Sequence, residues 1–176
     1  MKRIAITLLT LFLLSPSIVF GQTRNRSTSR QKPTTTAQAE QARATQVRTQ
    51  GAQKVADHIK NLTRGIYVLG GVTNGILAVD EAVRRNEASP ALVTKNQQNK
   101  VLVKSSISAF REGLDKLEIE FRATPELQPY YIKLAGVAAG AATAEEQAAA
   151  NQFERAGRTL LEVVNRLADV LVIMRQ

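Results

Sequence analysis

The sequence predicts an all-α protein, an elongated antiparallel bundle of four helices in which three are long and the third is short. Apolar residues recur at alternating spacings of four and three over much of residues 51–176, which is typical of amphipathic helices. No Asn-Gly or Asp-Gly turn lies between alternating apolar segments, so no strands are indicated. The chain has 44% apolar residues and no cysteine, so packing without disulfides must hold the fold together.

Residues 1–21 have the layout of a secretory signal peptide. Lys2 and Arg3 form a basic start, residues 4–14 are uncharged and mostly apolar, and small residues precede Gln22. Eleven helical residues span about 16 Å, roughly half of a bilayer core, which favours a cleaved signal over a membrane anchor. We predict cleavage after Gly21 and an exported product, either periplasmic or secreted.

Residues 22–50 form a basic arm that lacks a core. Val47 is their only large aliphatic residue, so we expect the arm to be disordered, although its composition from Ala37 onward favours helix and could extend the first helix as a frayed segment. Six basic residues against the single acid Glu40 give the arm a charge of +5, whereas residues 51–176 carry only +2. The basic residues are Arg24, Arg26, Arg30, Lys32, Arg43 and Arg48.

The first two helices follow the arm. Helix 1 is predicted over residues 51–86, where an apolar seam is interrupted by Thr73 and Asp80. Ser89 and the proline after it are typical of a helix start, with serine as the N-cap and proline in the first turn. Helix 2 is therefore predicted over residues 90–122.

The last two helices are predicted from similar start signals. Thr124 and the proline after it precede a short helix 3 over residues 130–142. Thr143 and Glu146 have the spacing of a capping box, in which each side chain bonds the backbone N–H of the other. Helix 4 is therefore expected to begin at Thr143 and to reach the C-terminus.

Two pairs of glycines connect helices 1 and 3. Gly71 and Gly75, and likewise Gly136 and Gly140, are four residues apart, which places each pair on one helix face where another backbone can approach. The apolar segment around the first pair, Gly65–Val79, is too short to span a membrane comfortably. We therefore expect both pairs to pack closely inside the bundle, and leucine at position 71 or 136 to destabilise the fold.

Residue counts and motifs argue against catalysis. The absence of cysteine and the presence of one histidine exclude thiolate nucleophiles and multi-histidine metal sites. Gly70 to Gly75 has the glycine spacing of a phosphate-binding loop, but Ile76 and Leu77 stand where that loop needs lysine and a hydroxyl residue. The sequence predicts no catalytic residue and no metal site, and the protein is not expected to be an enzyme.

His58 and Met174 offer the one cofactor site that the sequence suggests. They lie near the start of the first helix and the end of the last, which are neighbours in an up-down-up-down bundle. In b-type cytochrome bundles a methionine on the first helix and a histidine on the last hold haem. Here the order is the opposite, with the histidine on the first helix and the methionine on the last. The alternative is a partly exposed histidine and a core methionine that fills a gap. We expect no cofactor, with haem as the alternative.

The leading functional hypothesis is an exported, non-catalytic bundle that binds or scaffolds a partner. Its arm could tether it to an anionic surface such as acidic lipid headgroups or envelope polymers, whereas nucleic acid is a poor partner because the arm lacks aromatic residues. The alternatives are a small-ligand carrier with haem at His58 and Met174, and a membrane-active bundle that rearranges to expose Gly65–Val79. Apolar helix faces that remain uncovered within one chain would lead to self-association.

Overall fold

The computed structural model describes residues 36–176, so the predicted signal peptide and the first part of the arm lie outside the described residues. Within residues 36–176 the fold is all-α, as predicted. The helices are α1 (Thr36–Arg84), α2 (Pro90–Ala123), α3 (Gln128–Leu134), α4 (Val137–Ala149) and α5 (Phe153–Met174). Four of them, α1, α2, α4 and α5, form an antiparallel bundle, and the seven-residue α3 connects α2 to α4. The predicted four-helix bundle is confirmed.

Each bundle helix packs on two neighbours. α1 and α4 both pack on α2 and on α5, so α1 and α4 lie diagonally across the bundle. The antiparallel order of α1 and α2 is visible in two ion pairs. Lys54, in the first half of α1, contacts Glu120 near the end of α2, and Asp80 near the end of α1 contacts Lys100 in the first half of α2.

The core consists of aliphatic and aromatic side chains from every helix. Its largest fully buried members are Leu62, Ile76, Ile107, Leu114, Phe121, Leu127, Leu134, Leu160 and Leu167. Burying one such side chain stabilises the fold by about 1.5–3 kcal/mol. Hydrophobic packing therefore holds these helices together without disulfides, as the cysteine-free composition requires.

The structure corrects the start of helix 1. α1 begins at Thr36 and not at Gly51, so residues 36–50 of the predicted disordered arm are helical. The reason is local, because alanine, glutamine, glutamate and arginine all favour helix. Ala44 and Val47 are partly buried in this stretch, and its other residues are exposed.

The structure also corrects the start of the last helix. α4 continues through Thr143, whose hydroxyl donates a hydrogen bond to the carbonyl oxygen of Ala139 at 3.1 Å, so the predicted capping box is wrong. A threonine inside a helix can satisfy its hydroxyl on the preceding turn, and the alanines around it favour helix. The breaks lie instead at Gly136, with φ 91°, and at Asn151, with φ 60°.

The two ends of α1 extend past different neighbours. Toward the N-terminal end of α1, Gly51 lies against Met174, the last residue of α5, so the turns of α1 that precede Gly51 extend beyond the end of α5. At the other end, Lys104 of α2 contacts the carbonyl of Ala149, where α4 ends. Beyond this level α1 and α2 continue as a two-helix hairpin, here called the distal hairpin (residues 75–103).

Candidate functional site

One candidate binding surface is a cationic groove between residues 45–56 of α1 and residues 174–176 at the end of α5. Its lining includes Arg48, Thr45 and Thr49 of α1 together with Arg175 and Gln176. Both arginines are exposed, and no aspartate or glutamate lines the groove. The groove therefore offers guanidinium, hydroxyl and amide groups, which suit an anionic ligand.

The predicted basic arm contributes to this groove only in part. Arg43 and Arg48 lie on exposed turns of α1, and neither forms an ion pair with another described residue. The guanidinium of Arg48 donates a weak hydrogen bond to the Thr45 hydroxyl at 3.4 Å. The other four cations of the arm, Arg24, Arg26, Arg30 and Lys32, lie outside the described residues. Sequence reasoning missed Arg175, because only the fold brings it beside Arg48.

The structure does not bring His58 and Met174 together. His58 is partly buried, and its ring packs against Gly113 of α2, with Cε1 3.2 Å from the position that a Cβ at residue 113 would take. Burial lowers the pKa of His58, and the neighbouring carboxylate of Asp57 opposes this by raising it. Met174 contacts Gly51 instead, two helical turns or about 10 Å along α1 from His58.

This geometry does not favour the haem hypothesis. Met174 lines the cationic groove, whereas His58 is not part of that lining. Within residues 36–176 no group of three or more His, Asp or Glu side chains is arranged to hold a metal ion, which is a separate matter from haem, whose iron would take only His58 and Met174.

The first glycine pair, Gly71 and Gly75, does not form the predicted close contact with another helix. Gly71 and Gly75 lie on an exposed side of α1, and a Cβ at either position would meet no atom within 4 Å. The prediction that Gly71 packs closely, and that leucine there destabilises the fold, is therefore wrong for the single chain. The physical reason is the diagonal arrangement, which keeps α1 away from the helix that carries the second pair.

The second glycine pair divides between two roles. Gly136 is the N-cap of α4 in a left-handed conformation, a position that favours glycine because it has no Cβ. Gly140 is closely packed, but against α5 and not α1, because a Cβ there would lie 2.8 Å from Val163 Cγ2. The predicted link between these two pairs is wrong, and one of the four glycines supports a close helix contact.

Two other glycines, Gly65 and Gly51, pack closely against neighbouring side chains, although neither belongs to the predicted pairs. Gly65 of α1 lies against the ring of Phe110, where a Cβ would collide with the ring, and a Cβ at Gly51 would stand 2.7 Å from Leu127 Cδ2. These glycines are isolated in the sequence and belong to no repeated pattern. Only the positions of α2 and of the turn before α3 reveal their roles.

A polar cluster inside the distal hairpin was also not predicted from the sequence. The carboxylate of Asp80 accepts hydrogen bonds from Asn96 at 2.7 Å and from Lys100 at 2.8 Å. Asn96 is buried, and its side-chain oxygen has no partner among the described residues. The interruption of the apolar seam at Asp80 was the sequence signal for this cluster.

Comparison with known proteins adds no relative. No protein-family model, curated protein or solved structure matches this chain.

Proposed function

We propose that the protein is an exported, non-catalytic helical-bundle module that binds or scaffolds a partner and is tethered to an anionic envelope surface by basic residues at and before the start of α1. The observation that carries the proposal is the meeting of Arg48 and Arg175 in one groove that no acidic side chain lines. Arg43 is exposed about 1.4 turns before Arg48 on α1 and lies outside the groove lining. The cations of residues 22–35 precede the same end of α1 in the sequence.

The expected attraction is electrostatic. A basic residue beside an anionic membrane surface gains about 1 kcal/mol, so several such residues together could hold a small domain. The attraction acts over roughly a Debye length, about 8 Å at physiological ionic strength, and should therefore weaken as salt is added. Acidic lipid headgroups and acidic envelope polymers share this chemistry.

The test compares two sets of arginine substitutions in the full chain. The first variant carries Arg43→Gln, Arg48→Gln and Arg175→Gln, and its binding to vesicles of phosphatidylcholine with about a third phosphatidylglycerol is measured by co-flotation at low and high salt. The matched control removes three exposed arginines from the groove between α4 and α5, with Arg155→Gln, Arg158→Gln and Arg166→Gln. Both variants lose the same charge.

The proposal expects salt-sensitive binding that the first variant weakens and the control largely retains. Equal loss in both variants would mean that net charge alone matters and would refute the role of the cationic groove. Binding that is indifferent to salt would refute the electrostatic tether.

A further inference from the structure

α1 carries an apolar stretch that the bundle covers on one side only, since Ile66, Leu69 and Val72 pack against the core while Tyr67 and Val68 are exposed. An 18-residue window of this helix has a mean hydropathy of 1.3, sufficient in length and composition to cross a membrane, yet only 11% of that window is buried. Tyr67 is 84% exposed and Val68 is 56% exposed. Exposed apolar surface of this extent marks an interaction site, since a core helix of a self-contained bundle would be mostly covered.

The exposed side of this stretch has a regular pattern. Six exposed residues of α1 follow one another at alternating spacings of three and four, and they are here called the outer seam. They are Arg64, Tyr67, Gly71, Asn74, Ala78 and Glu81. Residues at this spacing lie along one face of a helix, so a second helix can pack along all six. The face that contacts α2 carries a different set of residues, including the buried Leu62 and Ile76.

We propose that the outer seam binds the outer seam of a second copy of this chain, with the two α1 helices antiparallel. A two-fold axis midway between Gly71 and Asn74 places Gly71 level with the partner's Asn74 and Tyr67 level with the partner's Ala78. Each large side chain then meets a small one, so the helices can approach closely. Two-fold symmetry makes each of these contacts occur twice.

Charge complementarity supports this arrangement. The same axis brings Arg64 level with the partner's Glu81, and the symmetry repeats this opposite-charge pair at the other end of the interface. Arg64 forms no ion pair with another described residue, whereas Glu81 contacts Arg84 on its own exposed turn. A parallel arrangement would instead align Arg64 with its own copy and Glu81 with its own copy, which like-charge repulsion disfavours.

The ends of the interface carry like charges that are already compensated. Lys60 and the partner's Arg85 lie level with each other just beyond the outer seam. Lys60 pairs with Asp57 at 3.3 Å, and Arg85 pairs with Glu87 at 3.3 Å, each within its own chain. Repulsion between these exposed ends is therefore reduced.

The polar members of the outer seam favour a protein partner over a lipid one. Asn74 lies at the centre of the seam, and Arg64 and Glu81 lie about 13 Å to either side of its midpoint along the helix. Insertion of this face into hydrocarbon would leave these polar groups without hydrogen-bond or ionic partners, at a cost of several kcal/mol for charged groups. A second copy supplies an opposite charge for Arg64 and for Glu81.

A charge-swap experiment tests the pairing in the full chain. The molar mass is measured by size-exclusion chromatography with light scattering over a concentration series. Arg64→Glu and Glu81→Arg should each weaken dimerisation by about tenfold or more, because each places like charges opposite one another at both ends. The double variant Arg64→Glu/Glu81→Arg restores opposite charges and should restore dimerisation. Arg155→Glu, an exposed charge reversal on α5, is the matched control and should dimerise as the unmodified chain does.

Gly71→Leu provides a second, independent test. A side chain at this position meets nothing within 4 Å in the single chain, and leucine favours helix more than glycine does. The variant should therefore keep the helix content and thermal stability of the monomer while it loses dimerisation. Loss of folding, measured by circular dichroism, would show that Gly71 is closely packed within one chain and would overturn the proposal.

Three outcomes contradict the inference. A monomeric mass at every concentration excludes the second copy as the occupant of the seam. A double variant as weak as the single variants excludes the antiparallel pairing of residues 64 and 81. Binding to neutral phosphatidylcholine vesicles that Tyr67→Glu abolishes would assign this face to lipid. Anionic-vesicle binding through the cationic groove is measured separately, so failure of one proposal leaves the other intact.

Discussion

Gly140 on α4 lies so close to Val163 on α5 that a Cβ atom at position 140 would stand 2.8 Å from Val163 Cγ2. Val163 is 2% exposed, and its β-branched side chain has few alternative rotamers. The valine therefore cannot make room without disturbing the core. The spacing between α4 and α5 depends on the absence of a side chain at Gly140.

Alanine at position 140 should destabilise the fold. Overpacking of a filled core costs about 1–3 kcal/mol, which exceeds the gain of roughly 0.5–1 kcal/mol from replacing glycine in a helix. The control is Gly157→Ala on α5, where a Cβ would meet nothing within 4 Å. Urea unfolding should show a lower free energy of unfolding for the first variant and an unchanged or higher one for the second. Equal effects would contradict the close contact.

Removal of the Asp80 carboxylate should destabilise the distal hairpin. Asp80→Ala leaves the ammonium of Lys100, whose side chain is 18% exposed, and the buried amide of Asn96 without their acceptor. An unsatisfied buried polar group costs about 1–3 kcal/mol. Lys60→Ala, which removes an exposed ion pair with Asp57, should change the free energy of unfolding by less than about 1 kcal/mol.

Replacement of the whole polar cluster should be far less harmful than removal of one member. Asp80→Leu, Asn96→Leu and Lys100→Met together leave no polar group unpaired, and such replacements are often neutral or stabilising. Chemical denaturation of this triple variant beside Asp80→Ala checks the prediction. A triple variant less stable than the single one would show that the hairpin depends on the polar contacts themselves.

Stability should fall as the pH drops below about 6.5, the ordinary pKa of histidine. Burial lowers the pKa of His58 in the folded chain, so acid protonates the unfolded chain first and favours unfolding. The full stability is present above the unfolded-state pKa and declines until the pH passes the folded-state pKa. His58→Gln should flatten this dependence between pH 8 and pH 5.

The folded-state pKa of His58 can be measured directly. The chain has one histidine, so a single imidazole Cε1–H resonance reports on it in a proton NMR titration. The midpoint should lie below that of an unfolded control in urea. A midpoint above the control would mean that the Asp57 carboxylate outweighs burial. The pKa of Asp57 is itself lowered, chiefly by the hydrogen bond from Gln53, but that group titrates at a lower pH.

The chain recovered from an exporting bacterial host should begin at Gln22. The basic start, the apolar run and the small residues before position 22 predict cleavage there. N-terminal sequencing or intact mass measurement of the protein from the culture medium and periplasm checks this. Recovery of a chain that still begins at Met1 would contradict the predicted signal peptide.

Short residue patterns predicted the features that depend on one helix alone, such as its N-cap. Ser89 is the N-cap of α2, as predicted, because its hydroxyl accepts a hydrogen bond from the N–H of Leu92 within the same turn. The capping box at Thr143 failed because the same residues are also compatible with a continuous helix. The haem hypothesis assumed that His58 and Met174 lie together, but the register of α5 against α1, which places Met174 at Gly51, is not encoded in either residue.

The sequence by itself determined the helical fold class, since heptad spacing of apolar residues and helix-favouring composition act within each segment of the chain. The tertiary structure decided which helices are neighbours, and with it the role of each glycine, the meeting of Arg48 with Arg175, and the exposure of the outer seam. These depend on how the four bundle helices surround a common core. The predicted apolar seam of helix 1 does lie largely in the core, but because α1 lies diagonally opposite α4, the face that carries Gly71 and Gly75 remains on the surface.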